Sequence, residues 1–212
     1  MAYYFTYIAS YEWNFKDQSK IVMELVPAKG ATVKQLHAEL FPAPMELACP
    51  AGVTGPLCDR KKLLNDLAAR TSTTSAFESA GINLLCGQNP FKPTASLTSR
   101  CDKIMNSSFS VIAAAPHMHL LGRTLKLTLN PGQSGEKIIL DVTNYNFDDQ
   151  SSTVLRNPVE VKAGATIRVE CTFDPTLRQK IPQLKELEPR YVTWGEGSSD
   201  EMCLGVIAST KA

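Results

Sequence analysis

Two of the three histidines in this 212-residue chain stand two positions apart, in "AAAPHMHLLGRTLKLTL" at residues 113–129. On a β-strand alternate side chains share a face, so His117 and His119 would stand side by side while Met118 points the other way. Two imidazoles aimed at one point are the beginning of a metal site, but two nitrogens alone do not select a metal. A pair of polar residues on the solvated face of an edge strand would give the same pattern. The difference lies in what other donors the chain can bring.

Several donor sets fail or stay open. A cupin-type site needs a glutamate shortly after the pair and a further histidine downstream; here Arg123 follows, and no later histidine exists. A three-imidazole zinc site would have to recruit His37, a lone histidine in a strand-like segment that reads as a structural or surface residue. A two-histidine, one-carboxylate iron site could use any of several acids, and no spacing selects one. Among soft donors, Met202 stands next to Cys203 in "WGEGSSDEMCLGVIAST". A thioether is a poor ligand for zinc, magnesium or calcium and a good one for Cu(I). Met202 could equally be a core filler, which is what methionine most often is.

The surrounding elements read mainly as β. Residues 1–47 carry strand-like runs: "YYFTYIAS", "KIVMELVPA" and "GATVKQLHAELFPAP". Residues 48–108 differ. "CPAGVTGPLC" is a Gly/Pro-rich loop with a cysteine at each end. "DRKKLLNDLAAR" places Leu63, Leu64 and Leu67 on one helical face with Asp59 as N-cap. "TTSAFESAGINLLCG" reads as a second short helix, and "CGQNPFKPTASLTSRC" as a loop bounded by cysteines. From 109 to 212 strands return, with "TLKLTL" and "TIRVECTF" alternating at period two. The pattern predicts an antiparallel β-sandwich, jelly-roll-like, carrying a disulfide-tied and partly helical insertion. Three segments follow: strands at 1–47 as a remnant of, or link to, an N-terminal domain; the insertion at 48–108; and the sandwich at 109–212. "DPTLRQKIPQLKELEPR" interrupts the strands as a polar, proline-broken excursion of the kind that borders sites.

Composition narrows the partners. Hydrophobic residues make up 43% and charged ones 20%, and 22 basic against 21 acidic side chains give a net charge of +1. With no basic stripe there is no case for nucleic acid, and no apolar run has the ~18 residues of a membrane-spanning helix. Six cysteines, an even number at wide spacing, point to disulfides and an oxidising, extracellular-type compartment, yet the N-terminus has no signal-peptide pattern.

"HMHLLGR", "VECTF" and "SSDEMC" together resemble, in order and spacing, the C-terminal domain of the copper type II, ascorbate-dependent monooxygenases, the family of the peptidylglycine α-hydroxylating and dopamine β-monooxygenases. The resemblance covers residues 109–208. It implies that His117, His119 and Met202 bind one copper ion that activates O2 and attacks a C–H bond of a small organic substrate, with ascorbate or another reductant as co-substrate. It also implies a Cys171–Cys203 disulfide. The remaining Cys49, Cys58, Cys86 and Cys101 allow three connectivities, of which Cys49–Cys58 and Cys86–Cys101 each close a short, turn-rich loop.

The chain departs from the family in two ways. The family's electron-supplying copper sits on three histidines of an N-terminal domain, which His37 alone cannot provide. The expectation is therefore the C-terminal part of a larger enzyme, working with an electron-donor domain or protein. The peptide-hydroxylating members place an arginine two residues before the first histidine and a tyrosine four after the methionine. Ala115 and Val206 stand there, so a C-terminal glycine peptide is not the expected substrate. The alternative is a copper-binding module without turnover.

Overall fold

The computed structural model describes residues 34–71 and 74–211. The strand runs read at 1–33 lie outside the described residues. Two four-stranded antiparallel sheets carry the fold. The first contains β1 (Leu36–Pro42), β4 (Phe109–His117), β7 (Thr153–Val161) and β10 (Leu204–Lys211), in the order β1-β10-β4-β7. The second contains β3 (Thr98–Ile104), β5 (Gly122–Leu129), β6 (Lys137–Val142) and β8 (Thr166–Phe173), in the order β3-β8-β5-β6. A short ladder joins β2 (Glu46–Leu47) to β9 (Val192–Thr193). Helices α1 (Arg60–Thr71) and α2 (Thr74–Leu85) precede β3.

The period-two strands put their apolar residues on one face, as expected. β8 buries Ile167, Val169, Cys171 and Phe173, and β5 buries Leu125, Leu127 and Leu129. From the other sheet Val111, Ala114, Ile207 and Phe41 join them in a single core, and at ~1.5–3 kcal/mol per buried large aliphatic side chain this shared face drives the two sheets together. The sheets pack closely at Gly205, where a Cβ would lie 2.6 Å from a Leu127 methyl. Proline is tolerated in β7 (Pro158) because β7 is an edge strand.

Two readings need correction. The stretch between Cys86 and Cys101 is not all loop: Thr98–Ile104 forms β3 and pairs with β8 over its whole length. Its buried positions are Ser99 and Cys101 rather than large hydrophobes, so no apolar alternation announced it. The strand bearing the histidine pair ends at His117, so His119 lies in the connection to β5 rather than on the strand. The excursion after β8 is two helical turns, a 3-10 helix Pro175–Gln179 capped by Asp174, and α3 (Pro182–Lys185).

Three disulfides staple these parts. Cys49–Cys58 closes the loop ahead of α1, Cys86–Cys101 ties the end of α2 to β3, and Cys171–Cys203 joins β8 to the residue preceding β10. The last one crosses between the sheets. No free cysteine occurs among the described residues, as suits a protein matured in an oxidising compartment. No helix among them is long and apolar enough to cross a membrane.

Candidate metal centre

β4 belongs to one sheet and β5 to the other, so Met118–Leu121 crosses the end of the sandwich in four residues. A segment that leaves one ladder and has not joined the next must find other partners for its backbone groups. Two buried side chains provide them. Tyr145 from the β6–β7 loop receives the N–H of Met118 at 3.0 Å and donates to the Met118 carbonyl at 2.5 Å. Glu201 receives the N–H of His119 at 2.6 Å and that of Leu121 at 2.8 Å, one on each oxygen.

Glu201 also receives the N–H of Met202 at 3.0 Å on the oxygen that serves His119. One carboxylate oxygen therefore ties the His119 backbone to the Met202 backbone. The carboxylate is fully buried. Burial pushes its pKa up to about 7, against the pull of the N–H groups of His119, Leu121, Met202 and Gly122, which favour the charged form. Its own backbone is fixed by Thr193 and Gly195.

The imidazoles of His117 and His119 meet edge to face with centroids 5.3 Å apart. Nδ1 of His119 lies 3.3 Å from the Asp200 carbonyl, which only accepts, so that nitrogen carries the hydrogen. Nδ1 of His117 lies 2.6 Å from Oε1 of Gln150, whose amide nitrogen donates to the Phe147 carbonyl at 2.9 Å. These acceptors favour the Nδ1–H tautomer in both rings, and the Gly197 carbonyl also hydrogen-bonds the His119 ring. Metal-binding histidines are commonly oriented in this way by a second hydrogen bond. Phe147 packs edge-on against His119, with centroids 6.2 Å apart. His119 is only 5% exposed; burial and the neighbouring His117 bring its pKa down to about 4, so it is neutral at physiological pH.

Gly122 completes the turn. A Cβ there would fall 2.7 Å from the Met118 Cβ and 2.9 Å from its sulfur. The middle residue of the histidine pair is thus a core plug that demands glycine four residues later.

Register locates the remaining donors. Leu204 pairs with His117 at the start of β10, and Met202, two residues upstream and buried, shares a Glu201 oxygen with His119 through its backbone N–H, which puts it at the same end of the sandwich. His37 pairs with Ser209. Five residues of strand separate Ser209 from Leu204, about 17 Å at ~3.3 Å per residue. The histidine-only alternative is thereby removed. Among the described residues no three or more His, Cys, Asp or Glu side chains gather closely enough to hold a metal, which leaves no carboxylate to complete an iron-type triad there.

Residues 79–208 match the family model of the copper type II ascorbate-dependent monooxygenase C-terminal domain. The chain belongs to this family. The match begins inside α2 and ends in β10, taking in both histidines, Met202 and the inter-sheet disulfide of this copper monooxygenase domain. Glu201, Tyr145 and Gln150 were not reached from the sequence. The signal for Glu201 is there in "DEMC", an acid directly before a methionine and a cysteine in the segment leading into β10.

Proposed function

We propose that His117, His119 and Met202 hold one copper ion, and that this domain uses it with O2 and ascorbate or a similar reductant to hydroxylate a C–H bond of a small organic substrate. The observation that carries the reading is the pair of neighbouring imidazoles, each held through Nδ1 by an acceptor, with a methionine backbone bound to the same carboxylate oxygen as His119. Two neutral nitrogens and one thioether suit Cu(I) better than any hard cation.

When bound, copper supplies one-electron chemistry towards dioxygen. The chain supplies everything that keeps the donors in place. Gln150 and the Asp200 carbonyl orient the rings, Glu201 and Tyr145 hold the crossing that carries them, and the Cys171–Cys203 bond pins the segment that carries Met202. Ala115 and Val206 offer no charged group to a substrate carboxylate, so the substrate class differs from C-terminal glycine peptides. Electrons beyond the first come from a donor domain or protein.

The test is a Cu(I) competition titration of the purified protein, followed by oxygen consumption with ascorbate. One tightly held copper, lost in both His117→Ala and His119→Ala, is the expected result. Stoichiometric zinc binding without copper would refute the site. Copper binding without ascorbate-driven oxygen uptake, even with an added electron donor, would reduce it to a binding module.

A further inference from the structure

Behind the 199–201 turn lies a buried charge cluster separate from the metal donors. Arg178 comes from the 3-10 helix and Arg190 from the segment after α3, while Asp66 and the partly exposed Arg70 come from α1. Asp200 sits among them at 4% exposure. Its Oδ1 stands 4.0 Å from Arg70, and Arg190 and Arg178 add positive charge nearby. Arg190 donates to Asp66 at 3.0 Å, and Arg178 donates to the Ser199 carbonyl at 3.1 Å.

The other oxygen of Asp200 is clasped by backbone. A Cβ on Gly195 would lie 2.8 Å from Oδ2, and one on Gly197 would lie 2.9 Å from it. Neither glycine has a left-handed φ, so room for the carboxylate, and not conformation, is what requires them. The N–H of Gly197 donates to the carboxylate. The N–H of Asp200 donates back to the Gly197 carbonyl at 2.8 Å. Residues 197 and 200 are therefore tied twice, the reciprocal closure that a capping box gives a helix start. The Gly195 N–H shuts the loop on the Glu201 carbonyl at 3.2 Å.

The loop turns two of its carbonyls on the metal centre. Those of Gly197 and Asp200 both hydrogen-bond the His119 ring. Glycine gives a loop its widest choice of backbone angles, so one with two glycines keeps a single shape only where something fills it. Here the filling is the Asp200 side chain. The His117 ring has a separate support in Gln150.

We propose that the Asp200 side chain is a positioning residue of the metal centre. Clasped by Gly195 and Gly197, its carboxylate holds the loop in the shape whose Gly197 and Asp200 carbonyls orient the His119 ring. The role towards copper rests on the reading of His119 as a ligand, whereas the grip on the ring belongs to the chain without metal.

The test follows the ring signals of His117 and His119 by NMR in the full, metal-free chain at neutral pH. A Cu(I) competition titration of the same samples comes second. Asp200→Ala should shift or broaden the His119 signals, while those of His117, held by Gln150, move less. Cu(I) affinity should fall by about tenfold or more, the range for losing a group that orients a metal ligand. Asp200→Asn keeps the shape and an oxygen for Gly197, and should return the His119 signals most of the way to wild type. Asp66→Asn loosens the same arginines from outside the loop. It should leave the His119 signals in place, which separates positioning from a general loss of stability. Gly197→Ala presses a methyl on the carboxylate and should disturb His119 as Asp200→Ala does. In the double variant that methyl enters vacated space, so the two effects should not add. Unmoved His119 signals in Asp200→Ala, equal movement in Asp66→Asn, additive effects in the double variant, or a moved ring with unchanged Cu(I) affinity would each overturn the proposal. A wild-type chain that binds no Cu(I) would instead refute the ligand reading, and the ring signals would then judge the grip alone. Should Asp200→Ala fail to fold, Gly197→Ala and Asp200→Asn carry the test.

Discussion

Glu201 and Arg178 both act on the turn at 199–201, and both are charged groups taken out of water, yet they are equipped in opposite ways. Glu201 meets backbone N–H groups on both oxygens, and these come from the histidine crossing and from the methionine segment. Arg178 has one hydrogen bond and leaves two nitrogens without a partner. A saturated buried charge is a joint: it fixes chain segments and has nothing left to offer a ligand. An unsaturated one is a standing cost that the fold carries. The same argument applies to the histidines, since each Nδ1 is used up in holding its ring.

The strongest way to break this contrast is to spoil the joint. Glu201→Gln keeps the shape but turns an NH2 group towards backbone donors whichever way the amide is placed. Leaving such donors unpaired around a former buried charge should cost about 4 kcal/mol. Denaturant unfolding with the disulfides intact measures it, and copper affinity should fall in parallel because both histidines ride on the released crossing. A variant within about 1 kcal/mol of wild type would show that the crossing holds itself.

Second in size is the Cys171–Cys203 bond. It closes a loop with a sequence separation of 32, for which the chain-entropy estimate is about 3.7 kcal/mol. The double Cys→Ala variant should lose that much in chemical unfolding. It should also bind Cu(I) more weakly, because the residue after Met202 is no longer tied to β8. Loss of stability with unchanged copper affinity would mean that Glu201 alone places Met202.

On the unsaturated side, Asp66→Asn removes one of the two carboxylates. Asp66 is partly exposed, with 29% of its side chain accessible, so the loss should be limited to about 2 kcal/mol. Arg70 and Arg190 then keep only Asp200 as an acidic neighbour, and denaturant unfolding measures the loss. A variant within about 0.5 kcal/mol of wild type would show that the two arginines are held by their other contacts.

These contacts mark the boundary of what the residues disclose before folding. The histidine spacing, the soft donor beside Cys203 and the alternation of "TIRVECTF" are local, so they are legible. Glu201 reaches His119 across 82 positions and Tyr145 reaches Met118 across 27, and no periodicity connects such pairs. β3 went unread because its inward residues are Ser99 and Cys101. The histidine pair was read correctly as neighbours but for an incomplete reason. The strand ends at His117, and a four-residue crossing, rather than the pleat, brings the second ring beside the first. The arginine cluster draws on α1, the excursion after β8 and the segment before β10, three parts of the chain with no shared motif.

The smallest expected change in stability discriminates most sharply between packing and ligation. Met202 is 6% exposed, and replacing it by leucine preserves volume and apolarity, a swap that costs less than about 1.5 kcal/mol in a core. If the methionine only fills space, Met202→Leu should be silent in every assay. If it is the third donor, the melt should stay close to wild type while Cu(I) affinity falls and ascorbate-driven oxygen uptake disappears. Met202→His gives the opposite bias, since imidazole favours Cu(II) relative to a thioether, and reduction of the bound copper by ascorbate should slow. Neither variant touches the Glu201 joint, because the bond there comes from the backbone N–H of residue 202 and not from its side chain. A Met202→Leu protein that holds Cu(I) as tightly as the wild type would leave the joint intact and remove the thioether from the site.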